Sequence, residues 1–211
     1  MISFNTIKEK EKISELIEKK SRFIAQIFYI ENLKEAEDIL KMVKKKYYDA
    51  RHNCYAYRVM QGEQIIQKSS DDGEPQGTAG APILNVLEKN DLLNILVIVT
   101  RYFGGILLGT GGLVKAYTQS TINVIEETKI IQMEKGIEIK AIIPYSDFDT
   151  FKHLCIKEKI KIYDEKYNEN IEIKLDISEE KYNYLYKNIE KLNLKNVKME
   201  KIRNKFVEKC L

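Results

Sequence analysis

The chain has 211 residues, 44% of them hydrophobic, enough for one or two domains with a sizeable buried core. Its 35 basic and 32 acidic residues leave a net charge of +3, so the molecule as a whole is neither a polybasic nor an acidic tail. Cys54, Cys155 and Cys210 lie far apart, with no metal-type spacing and no disulfide framework, and no apolar run has signal-peptide or bilayer-spanning length; a soluble cytoplasmic protein is the expectation.

Residues 1–20 are charged and weakly patterned, with one strand expected within 10–18. From Ser21, RFIAQIFYI is rich in β-branched and aromatic residues and reads as a strand. Asn32 and Glu35 form a capping box for a helix whose apolar positions are Ala36, Ile39, Leu40, Val43 and Tyr47. HNCYAYRVM (52–60) is a strand with Cys54, Ala56 and Arg58 on one side and Tyr55, Tyr57 and Val59 on the other, turned at Gln61-Gly62 into a second strand. An acidic loop follows, then a helix bearing Ile83, Leu84, Val86 and Leu87, with Pro82 in its first turn. LLNILVIVT (92–100) is a strand apolar enough to be buried on both faces. After it, a glycine loop leads into a helix with Leu113, Tyr117, Ser120 and Val124 on one face. The order through residue 130 is β-β-α-β-β-α-β-α, expected as a sheet with helices on one face.

Around Gly136 the pattern restarts. GIEIKAII is a strand, and Ser146 with Asp149 reads as a second capping box, on a helix lined by Phe148, Phe151 and Cys155. KIKIYDEKY and NIEIKLDI alternate as a hairpin about residues 168–170. Ser178 opens a helix with Tyr182, Leu185, Tyr186, Ile189 and Leu192 on one face, and LKNVKMEKI closes as a strand. This β-α-β-β-α-β order is the ferredoxin-like split unit. The class is therefore α+β, with domains at 1–132 and 136–211.

Eight of the ten glycines fall between Ser69 and Tyr117. In 104-GGILLGTGG-112, the residues Gly104, Gly105, Gly109, Gly111 and Gly112 feed a helix start, whose free amides and positive dipole end suit an anion. Arg101 and Lys115 flank this loop as countercharges, and Arg51-His52 opens a nearby strand. The order of residues is neither a Walker loop nor G-x-G-x-x-G, and the glycines serve close loop packing equally well. In 71-DDGEP-75, the carboxylates Asp71, Asp72 and Glu74 suit a hard cation such as Mg²⁺, a solvated turn, or pairing with Arg101 or Arg51 that locks the loop to the sheet. Neither a nucleophile elbow nor a base-paired nucleophile is present around Cys54, so no catalytic residue is assigned.

Four ordered blocks, KKSRFIA (19–25), DARHNCYAYR (49–58), SDDGEPQGTAGAPIL (70–84) and VTRYFGGILLGTGGLVKAY (99–117), closely resemble the YigZ/IMPACT family. The resemblance implies an N-terminal domain like domain 2 of ribosomal protein S5. It also implies a ferredoxin-like C-terminal domain resembling the last domain of elongation factor G. The same resemblance points to translation regulation, without the kinase-pathway role of eukaryotic relatives, which carry a further N-terminal domain. Where the family often has arginine this chain has Lys115, which keeps the charge but not the bidentate fork.

Two functions follow. The first is a non-enzymatic, translation-linked protein that binds RNA, the ribosome or a protein partner through the glycine-rich groove, with no cofactor. The alternative is an Mg-dependent enzyme on a phosphorylated small molecule, with the acidic loop holding the cation.

Overall fold

The computed structural model describes residues 3–62, 64–194 and 196–209. Two compact units are separated, Phe4–Ile131 and the chain from Gln132 onward.

In the first unit β2 (Glu11–Glu18), β3 (Ser21–Tyr29), β4 (His52–Gln61), β5 (Gln64–Ser70) and β6 (Ile95–Tyr102) form one sheet in the order β2-β3-β6-β4-β5. Every neighbouring pair is antiparallel. The central strand is β6, buried from Ile95 to Arg101, as its unbroken apolar run requires. Its side chains divide by parity. Val97 and Val99 join Phe23, Ala25, Cys54 and Ala56 in a core closed by α2 (Gly80–Lys89) and α3 (Gly109–Glu126). Leu96 and Ile98 join Phe28 and Val59 in a second core closed by Ala36 and Val43 of α1 (Leu33–Lys46).

The helices therefore cover both faces, not one. Asn32 caps α1 by accepting from the Glu35 amide at 3.0 Å, and Glu35 reaches back to the Glu31 amide at 2.8 Å. A strand outside the expected order, β1 (Ser3–Ile7), does not join this sheet: it pairs with the strand that begins at Ile130, and the Leu93 amide donates to the Asn5 carbonyl.

In the second unit β7 (Ile130–Ile143), α4 (Tyr145–Lys157), β8 (Lys161–Tyr167), β9 (Ile171–Ser178), α5 (Glu179–Lys191) and β10 (Lys198–Glu208) give the ferredoxin-like strand order β10-β7-β9-β8. Alternate residues of β7 and β9, among them Ile139, Ile143, Ile173 and Leu175, pack against Phe151 and Leu185. Their opposite faces carry charges that neutralise one another: Arg203–Glu138 (2.6 Å), Lys140–Glu172 (2.8 Å), Lys205–Asp176 (2.8 Å) and Lys174–Asp164 (2.7 Å).

Three details depart from the sequence pattern. Pro144, not Ser146, occupies the N-cap of α4, and the Ser146 hydroxyl bonds Asp147 instead. On α5 only Leu185 and Ile189 are buried, while Tyr186 and Leu192 of the expected apolar face are exposed. The β8–β9 hairpin shifts register between Tyr163 and Lys166, with Asp164 at φ 56°.

Candidate functional site: a sealed loop beside an open helix start

Two glycine-bearing helix starts lie in the first unit, and the chain treats them differently. At α2 the N-cap residue is Ala79, which has no capping side chain. Asp71 does the capping from eight residues upstream. Its Oδ1 accepts from the amides of Ala79 (3.0 Å) and Gly80 (2.8 Å), and its Oδ2 from Gly77 (2.9 Å). Burial raises the Asp71 pKa, but the three amide donors outweigh it and hold the carboxyl below its ordinary value.

Asp72 sits at φ 41° and bridges the Lys44 ammonium at 2.7 Å and the Asn53 amide at 2.8 Å. Glu74 goes deepest: its Oε1 accepts from Arg101 at 2.7 Å and from the Tyr117 hydroxyl at 2.8 Å. The Cys54 thiol donates to the Asp71 carbonyl at 2.9 Å and lies 3.3 Å from the Tyr117 oxygen. Burial lifts that thiol to about 12 and moves Tyr117 the same way.

Of the three roles expected of the acidic loop, these contacts show the pairing with Arg101 that locks it to the sheet. Asp71, Asp72 and Glu74 do not converge on one point; each carboxylate addresses protein donors, and the acidic loop is a clasp that ties α2, β4, β6 and α3 together. Among the described residues no cluster of three or more histidine, cysteine or carboxylate side chains is placed to hold a metal ion. Arg101 is not a free countercharge. Its guanidinium is committed to Glu74, reaches Ser21 at 3.4 Å, lies over the rings of Phe23 and Phe103, and leaves Nε without a partner. His52 is held by its Nδ1 at 3.0 Å from the Asp72 carbonyl, while Arg51 is exposed beside it. Gly104 is a packing residue: a Cβ there would collide with the Lys20 carbonyl group, and its amide donates to Ser21 at 3.2 Å.

At α3 the arrangement is open. Leu108 is the N-cap, no side chain caps the helix, and no acidic residue stands in its first turn. Gly105 and Gly109, at φ 84° and 72°, supply the turn that leads into it. Around Gly111 nothing lies within 4 Å of a Cβ position. Gly111, Gly112 and Lys115 line a groove of about 830 Å³ whose other wall is Leu16, Glu18 and Lys19 at the end of β2. Lys19 and Lys115 are exposed and form no ion pair among the described residues. The groove thus combines uncapped amides, the positive end of an eighteen-residue helix and two unpaired ammonium groups.

Of the expected anion-site residues, Gly111, Gly112 and Lys115 line this groove, while Gly109 is the first residue of α3 and supplies its turn. Arg101, His52 and Gly104 are used internally. Lys19 is a groove residue that the sequence pattern does not single out, although Lys19-Lys20 stand directly before β3; the available signal is two adjacent cations at a hairpin position.

Among known proteins, a family model described as "Impact N-terminal domain" matches residues 19–125. An IMPACT family member of Bacillus subtilis, YvyE, is 34% identical over 181 residues, spanning 86% of this chain and 82% of its own. One from Haemophilus influenzae is 39% identical over 165 residues, spanning 76% and 79%. A solved structure described as a hypothetical protein aligns with 96% of this chain and 98% of its own, at 27% identity and a TM-score of 0.63. No helix among the described residues is long and apolar enough to cross a membrane.

Proposed function

The chain belongs to the IMPACT family, and on that premise we propose that it is a non-enzymatic, translation-linked binding protein that engages its partner at the groove beside α3. The observation that carries this reading is the contrast between the two helix starts. One is closed by Asp71; the other is uncapped, faces a groove and is flanked by Lys19 and Lys115. A helix start left open beside unpaired cations is a receptor for negative charge. The translation link comes from the family resemblance in the blocks 19–25, 49–58, 70–84 and 99–117, and RNA, the ribosome or a translation-associated protein are its candidate partners.

The Mg-dependent alternative has less support, because its carboxylates are all engaged. Glu74 neutralises a buried arginine, Asp71 caps a helix and Asp72 is bound to Lys44 and Asn53. Binding a cation there would first require breaking those contacts.

Ribosome co-sedimentation and filter binding to RNA at rising salt test the reading, with wild type and Lys115→Glu side by side. Binding that weakens in the variant supports it, and an RNA complex should lose about one unit of salt slope when a single phosphate contact goes. Binding unchanged by Lys115→Glu would move the site elsewhere.

A further inference from the structure

We propose that the groove beside α3 receives an acidic, amphipathic segment of a protein partner, an inference that rests on the groove reading above and fixes the class of its occupant. Three observations favour a protein segment over a phosphate chain.

The groove is substantially apolar. Leu16, Leu108, Val114 and Ala116 line it, and the run leading into Leu108 exposes Phe103 at 54%, Ile106 at 42% and Leu107 at 83%. Single exposed apolar residues are ordinary, but three of them in the segment that runs directly into groove residue Leu108 mark an interaction surface. A nucleic-acid backbone gains nothing from such a surface.

The charge on the groove is sparse and mixed. Lys19 and Lys115 stand with Glu18 on the same lining, which gives one net positive charge. A phosphate chain meets too few cations and one opposing carboxylate. A helix with an apolar stripe and acidic flanks satisfies both the lining and the rim, with a carboxylate at the uncapped α3 amides.

The cationic rim is held in place. Lys19 and Lys20 form the β2–β3 turn at φ 44° and 67°, a conformation that glycine or asparagine adopts more easily. The backbone of Lys20 is seated directly against Gly104, so the turn and the apolar run are fixed side by side.

The test is a selection of random peptides displayed on phage against the full chain, with the Leu107→Ser/Lys115→Glu double variant as counter-target. Both side chains are exposed, so the variant keeps its fold, which a melting curve verifies. The expected peptides carry net negative charge with apolar residues at helical spacing. They should bind wild type about tenfold more tightly than either single variant by fluorescence anisotropy. A labelled uridine homopolymer is titrated alongside. If it binds, depends on Lys115 and ignores Leu107→Ser, the occupant is a nucleic acid: the inference fails while the groove reading stands. Recovered peptides without acidic bias, or none at all, also overturn the inference. If neither peptides, homopolymer nor ribosomes respond to Lys115→Glu, the groove reading falls with it.

Discussion

The Arg101 guanidinium lies 2.7 Å from the Glu74 carboxylate, with the two side chains only 8% and 3% exposed. A surface pair of this kind contributes about 0–1 kcal/mol, but removing one partner from a buried pair strands the other and costs about 3–5 kcal/mol. Glu74→Gln should therefore lower the unfolding free energy by about that amount in urea titrations. Glu74→Gln combined with Arg101→Met should recover part of the loss, because no charge is left alone. Equal losses in the single and double variants would show that the pair carries no such penalty.

Glycines of one motif should respond in opposite directions. Gly104→Ala forces a methyl group into the Lys20 backbone and is expected to cost about 3 kcal/mol or more. Gly111 lies inside α3 with open space around its Cβ position, so Gly111→Ala should stabilise by up to about 1 kcal/mol. Because Gly111 also lines the groove, the same variant should bind ribosomes or selected peptides more weakly. A Gly111→Ala protein that is both more stable and fully competent would show that nothing approaches this backbone.

The Lys19-Lys20 turn offers the complementary case. Asparagine followed by glycine suits the positive φ angles of these two positions, and Lys19→Asn/Lys20→Gly should raise stability by about 1–2 kcal/mol. Groove binding should fall in the same protein. A drop in melting temperature would mean that the two lysines make contacts worth more than their backbone strain.

The pH dependence has two limbs with known signs. Asp71 has a lowered pKa in the folded chain, so its contribution is present above its ordinary value of 3.8 and is lost as pH falls through the folded value. Cys54 behaves in the opposite sense. Its thiol stays protonated to about 12 in the fold, so its contribution is complete below 9.0 and is lost as pH rises from there towards 12. Buried Cys155 adds to the alkaline limb. Urea midpoints across pH should show both declines, and Asp71→Asn should flatten the acid one. An acid limb of unchanged slope in Asp71→Asn would assign it to other carboxylates.

The sequence carried most of the element order because its signals were local. The Asn32–Glu35 box, the Ser178 cap and the apolar run of β6 each depend on residues within a few positions. Placement of the layers is not local. Helical spacing in α1 shows that one side is buried, not against which face of the sheet. Even so, a strand buried on both sides already demanded cover on both, and that conflict with one-sided helices was visible in β6 itself. β1 escaped because SFNTI is short and stands in charged surroundings. The site split along the same line. Gly109, Gly111, Gly112 and Lys115 sit within one helical turn or two, whereas Arg101, 27 positions from Glu74, was legible only as one of three roles open to the acidic loop, and Tyr117, 43 positions away, carried no local signal as its partner.

That division bears on how genetic data for this protein should be read. The clasp lies within the block 70–84 that resembles the family, and substitutions that break it are expected to lower the amount of folded protein whatever the molecule does. A screen scoring phenotype alone would place Asp71, Glu74 and Arg101 at the top and pass over Lys19, Lys115 and Leu107. If the groove proposal holds, dividing each score by the amount of intact chain should reverse that ranking and bring forward the residues of the shallow trough beside the uncapped helix.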